Sequence, residues 1–226
     1  FRVGSGGKYQ LGTTGGSQGS IVFSGDFVND GIFTSPANRL ILFDGITPQT
    51  ISGSTAISFN AGLITHQNII VRAGATMQVG ASKSMTANLD VELFGNLRGG
   101  DAKTTLVLAG VDNRLHLNNS SVTIPLVIAK NGQRHNISGE GVFEGCTLRA
   151  DSGSSILMDA YLTFLDANLD PSGGELVAAT GSTIVYSGSS ARPICPLRYW
   201  NLAVESASGA YLTGPTNVCG TLSLKA

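Results

Sequence analysis

Charge is what this chain has least of. Lys, Arg, Asp and Glu make up 13% of its 226 residues, about half the ~25% usual in soluble domains. Fourteen basic and fifteen acidic residues are scattered singly and leave a net charge of -1. With no run of like charge to follow a phosphate backbone or an anionic surface, nucleic acid is not an expected partner. No stretch approaches the ~18 apolar residues of a membrane-spanning helix, so no membrane span is expected. Helix patterning is nearly missing too. Apolar residues seldom recur at i, i+3, i+4 and i+7, and Gly, Ser, Thr and Asn interrupt the windows that begin to form.

Motifs for chemistry are equally sparse. The three cysteines, Cys146, Cys195 and Cys219, form no CxxC pair and have no histidine at zinc-site spacing. His66, His116 and His135 show no HxH or HExxH arrangement and read as solvated or loop histidines. No G-x-S-x-G elbow occurs. The glycine clusters at Gly4–Gly7 and Gly15–Gly19 are followed by no GK[ST], so no cofactor is expected.

What is present is apolar, small and β-forming. A hydrophobic fraction of 42% excludes a disordered chain. Glycine, at 30 residues, stands near double its usual ~7% share. The surface must then be covered by Ser, Thr, Asn and Gly, a composition found in secreted repeat proteins. The chain opens at Phe1 with nothing like a signal peptide nearby, which reads as a mature product or a fragment of something longer. Short β-branched or aromatic runs recur, each closed by turn residues: Ile21–Phe23, Leu40–Phe43, Asn68–Val71, Thr105–Leu108 and Ser182–Tyr186. Such spacing predicts an all-β fold.

Aligning on "apolar run, then Gly" gives three long units, LILFDGITPQTISG from Leu40, LVLAGVDNRLHLNN from Leu106 and TIVYSGSSARPICP from Thr183. Each unit suffices for about three coils of roughly 20 to 25 residues. Stacked parallel rungs would put like residues above like and share backbone hydrogen bonds with both neighbours. The expected fold is a parallel β-solenoid in one domain over 21–226, preceded by a glycine-rich segment, 1–20, able to contact a neighbouring subunit. A β-sandwich of hairpins is the competitor, but two-residue Asn-Gly turns are few.

The stretches LILFDGITPQTISGSTAISF and TIVYSGSSARPICPLRYWNLAVESASGAYLTGPTNVCGTLSL resemble repeats in large secreted surface proteins of Bacteroidetes-type bacteria. Phe43, Gly45, Gln49, Ile51, Gly53 and Phe59 match the first half of that pattern. Trp200, Asn201, Leu202, Val204, Gly209, Leu212, Gly214, Val218, Gly220, Thr221, Leu222 and Leu224 match the second half. In the middle unit Arg114 and Leu115 replace the Gln and Ile. The resemblance implies an exported, surface-attached or matrix protein with no enzyme activity.

Some residues still invite a chemical reading. Asp151, Asp159, Asp166 and Asp170 form one carboxylate set, and Asp90, Glu92 and Asp101 another. A glycosidase needs two carboxylates facing one groove about 5 to 9.5 Å apart. Asp in turn-rich stretches is more often bonded to nearby backbone. No DxDxDG loop appears, so no metal is expected. Cys195 and Cys219 lie one coil length apart and could close a disulfide across rungs. Burial as two small apolar side chains is the equal alternative, and Cys146 reads as a buried free thiol. Strand alternation sends one of Tyr199 and Trp200 inward, and the alignment of Trp200 with Phe59 favours Trp200. The C-terminal run Gly220–Ala226 reads as one more strand without a cap. It points to a head-to-tail homopolymer or to pairing with neighbouring repeats of a longer chain. The expected role is therefore an extracellular structural protein, a filament subunit or adhesin stalk. The alternative is a carbohydrate-binding or polysaccharide-cleaving β-helix, with surface glycans as the partner.

Overall fold

The computed structural model describes residues 1–10, 21–34, 41–54, 57–59, 68–88 and 90–225. Every strand pairing among them is parallel, and they contain no helix. No helix long and apolar enough to cross a membrane is present among the described residues. The protein is a β-solenoid whose chain visits three faces in a fixed order on each coil. Coil 2 shows the plan, with Ile21–Phe23 on face one, Phe27–Asn29 on face two and Ile32–Thr34 on face three. Nine such complete coils follow one another, with a partial coil below (Arg2–Val3, Lys8–Gln10) and another above (Asn217–Val218, Leu222–Leu224). Residues 1–10 of the glycine-rich segment thus already belong to the solenoid. Arg2 pairs with Val28 and Lys8 with Ile32. Residues 11–20, and His66 further on, lie outside the described residues.

Register makes the core. On face two, Met77, Leu97, Val122, Phe143, Phe164, Tyr186 and Val204 stack one above another, coil after coil. None of the seven is more than 7% exposed. Burial of each such side chain contributes about 1.5–3 kcal/mol, and the alternation along Ser155–Leu165 keeps these positions inward. The rings of Phe143 and Phe164 stack at 5.4 Å with 10° between their planes, an arrangement that adds to the area term.

The period is shorter than the sequence alignment implies. On face three, Met85, Leu106, Val127, Leu148 and Leu169 are in register at steps of 21 residues. The three long units predict about nine coils, and the described residues form nine complete ones. Yet their aligned segments begin on different faces: Ile41–Phe43 on face one, Thr105–Leu108 on face three and Thr183–Gly188 on face two. The repeat is therefore the single coil. "Apolar run, then glycine" encodes a strand followed by a corner, and all three corners of a coil use that signal.

Candidate functional site: a groove over the bent middle strands

The carboxylates singled out in the sequence, and Asp30 beside them, are mostly engaged in holding coils together. Asp30 Oδ1 accepts a hydrogen bond from the Ser54 backbone N–H at 2.9 Å, and Asp90 Oδ1 accepts one from Arg114 N–H at 2.7 Å. Asp166 does the same for Ser189 at 3.2 Å and Asp101 for Ser82 at 2.8 Å, with the Ser82 hydroxyl donating to it as well. In each case the partner lies about one coil away along the chain. The Ser54 amide and hydroxyl hold the Asp30 carboxyl below its ordinary range, and the Ser82 hydroxyl and amide do so for Asp101. Asp151 and Asp170 belong to an ion ladder on face three with Lys130 and Arg149, at 3.6–4.0 Å. Glu92 lies 3.6 Å from Arg114, and Asp159 stands exposed on face one. No group of three or more His, Cys, Asp or Glu able to hold a metal occurs among the described residues.

The other candidates also find positions that sequence alone did not fix. His135, read as a loop histidine, is fully buried. Its Nε2 lies 3.2 Å from the Lys130 carbonyl oxygen, its Nδ1 has no partner, and desolvation lowers its pKa. Half-buried His116 meets the Ser138 hydroxyl at 2.9 Å. Tyr199 and Trp200 do alternate, but in the opposite sense to that expected: Tyr199 is buried and Trp200 exposed. Tyr199 wins the inside place because its hydroxyl has partners there. It donates to the Cys195 carbonyl at 2.8 Å and lies 2.8 Å from the Tyr186 hydroxyl. Cys195 and Cys219 stand as separate thiols on different faces, one buried and one exposed, rather than facing each other across rungs. Cys146 is a buried free thiol.

A concave site forms where faces one and two meet in the middle coils. Elsewhere each face has its own strand, but Arg114–Thr123, Arg134–Glu144 and Ser155–Leu165 run continuously around this corner. The bend is built from irregularities. Asn119 is an unpaired bulge residue with φ of 51°, and Gly139 has φ of 91°. A Cβ on Gly139 would run into the Leu117 carbonyl oxygen, so only glycine lets these coils approach. The resulting groove encloses about 250 Å3 and spans four coils, from Asn96 to Tyr161 and Thr163. It presents the half-exposed ring of Tyr161, the Glu140 carboxylate and the polar side chains of Asn96, Asn119 and Ser121. Asn96 is held in place because its Oδ1 accepts from both the amide and the hydroxyl of Ser121, at 3.2 and 2.8 Å. Its Nδ2 group has no hydrogen-bond partner among the described residues and offers donors to the groove.

Glu140 is the single carboxylate among the described residues of this lining, so the groove lacks the facing pair that glycoside hydrolysis needs. None of its polar residues was a candidate in the sequence, although a signal existed: the glycines flanking Glu140 break the inward–outward alternation in an otherwise regular strand. Comparison of the chain with protein-family models, with curated proteins and with solved structures found no match.

Proposed function

We propose that the protein is a non-catalytic structural element of an extracellular assembly, a rigid β-solenoid rod continued at its ends by further coils, those of another copy or of neighbouring repeats of a longer chain. The observation that carries this reading lies at the upper end of the core. Ile194, Leu202 and Val204 are 5%, 3% and 7% exposed, whereas their in-register successors Leu212, Leu222 and Leu224 are 61%, 55% and 71% exposed. A further coil above them, from another copy or from a longer chain, would bury all three positions. The lowest described coil offers a matching rung: Val3 and Phe1 continue the inward positions of face two, with Phe1 stacked 5.8 Å from Phe27 and 47% exposed. Inward residues at alternate positions on both rungs suit continued parallel pairing. A heterologous contact of this kind propagates without closing.

The sparse charge and the Ser, Thr and Asn surface support an extracellular setting. Negative-stain electron microscopy and sedimentation velocity across a concentration series test the proposal. The native protein should form rods of increasing length, and Leu222→Asp with Leu224→Asp should leave single particles with the native circular dichroism spectrum. A native protein that stays monomeric at every concentration would overturn the stacking of copies and leave neighbouring repeats of a longer chain as the continuation.

A further inference from the structure

We infer that the groove over coils 5 to 8 is a binding site for a neutral oligosaccharide, which gives the rod a lateral recognition function beyond its end-to-end stacking. The argument is chemical. A sugar offers a ring face of C–H groups and a rim of hydroxyls, so its site needs an aromatic surface next to fixed donors and acceptors. Tyr161 supplies the aromatic ring at 47% exposure, on strand Ser155–Leu165 beside Glu140 of the coil below, its in-register partner. Glu140 makes no ion pair among the described residues and offers its oxygens as acceptors for sugar hydroxyls. Asn96 offers its Nδ2 donors from a side chain already immobilised by Ser121, so little rotamer freedom remains to be lost on binding.

The bulge at Asn119 and the bend at Gly139 are what make the corner concave. Bulges re-aim side chains in this way beside functional sites. The volume of about 250 Å3 suits one or two sugar rings lying along the strands, with the remainder of a longer chain passing across the open face. The lone carboxylate sets the ligand's charge. A uronic acid would meet Glu140 at close range with no cation in the lining, so the site selects neutral sugars.

Saturation-transfer NMR on the intact chain tests this, with β-1,4-linked tetrasaccharides of glucose, mannose and galactose, and with tetragalacturonate as the charged control. At least one neutral tetrasaccharide should receive saturation from the native protein while tetragalacturonate does not. Tyr161→Ala should weaken that binding about tenfold and Tyr161→Phe should retain it, since the ring and not the hydroxyl makes the contact. Glu140→Gln should admit tetragalacturonate. The inference is overturned by absence of transfer to all three neutral sugars, or by transfer that Tyr161→Ala leaves unchanged. Tyr161 is exposed, so circular dichroism of the alanine variant should match the native protein and keep the comparison clean.

Discussion

Coils 6 to 8 and coils 9 to 11 solve the same stacking problem with different corners. In the middle coils a single strand of ten or eleven residues turns from face one to face two, and successive coils repeat at 21 or 22 residues. In the upper coils that strand is split, and the step falls to 18 between Tyr186 and Val204. The interior column passes through both regions without interruption. A shortened coil draws its corner inward, and the corner is filled by Tyr186 and Tyr199, whose hydroxyls satisfy one another and the Cys195 backbone. The difference teaches that stacking fixes the inward residues while the corners are free to vary. A groove can therefore arise in one region and be absent from another at no cost to the core.

The sharpest way to break this comparison is to truncate one residue of the shared column in each region. Phe164→Ala, between the rings of Phe143 and Tyr186, should cost about 3–5 kcal/mol in urea unfolding because the rigid stack cannot collapse into the space. Leu224→Ala, in the same column but 71% exposed, should stay within about 0.5 kcal/mol for the isolated chain. An equally large loss at Leu224 would mean that the upper rung is covered in solution.

That column was legible in the sequence as a class of residue, but its phase was not. Parallel in-register strands leave a period-two alternation that marks Leu162, Phe164, Ile184 and Tyr186 as inward. It does not say which face a strand occupies, so three aligned segments fell on three faces. The motif residues fared better, and the structure gives their spacing a reason. Gln49 is buried: its side-chain oxygen accepts from Gly45 N–H at 2.7 Å, and its amide donates to the carbonyls of Phe23 and Gly25 in the coil below. Gly45 must be glycine because a Cβ would meet the Gln49 side chain at 2.7 Å. The later Asn201 and Gly220 form an equivalent clasp, with Asn201 Oδ1 accepting from Thr221 N–H at 2.9 Å. The groove was illegible because Asn96, Asn119, Glu140 and Tyr161 are separated by up to 65 residues and meet only through register.

A smaller effect separates buried clasps from exposed ones. Gln49→Ala removes the partner of the buried Gly45 N–H and the donors to the Phe23 and Gly25 carbonyls, of which Phe23 keeps the Asp44 N–H, and should cost about 1–3 kcal/mol. Asn201→Ala, at a more open position, should cost less than half of that in the same urea titration. Equal losses would show that the amide geometry, and not its burial, sets the contribution.

Acid should distinguish interior from corner. Burial lowers the pKa of His135 below its ordinary 6.5, so the unfolded chain binds the proton more readily. The stability tied to neutral His135 is complete above pH 6.5 and is lost as pH falls below that value toward the folded pKa. The corner carboxylates Asp30 and Asp101, also lowered, act later. Their contribution is present above about pH 4, the ordinary Asp range, and disappears as they protonate below it. Urea midpoints measured from pH 7 to pH 3 should therefore fall in two stages. His135→Gln should flatten the first and Asp101→Asn should reduce the second.

The least costly perturbation is chemical labelling of the thiols, which compares one middle-coil cysteine with two in the upper coils. Burial pushes the Cys146 thiol up to about 12 and the Cys195 thiol up to about 11, so neither offers a thiolate at pH 8, and both are shielded by the core. Cys219 is exposed, with the Arg198 Nε 3.0 Å from its sulfur. Iodoacetamide on the folded protein should add one carbamidomethyl group, at Cys219, and three after unfolding in urea. A Cys195–Cys219 disulfide found instead would demand a different register. Thr213 N–H bonds the Ile194 carbonyl and Cys219 N–H bonds the Tyr199 carbonyl, so each cysteine is aligned with a different part of its neighbouring coil. Bringing the two sulfurs together would slide the top coil by several residues, and Leu222 and Leu224 would leave the column they continue.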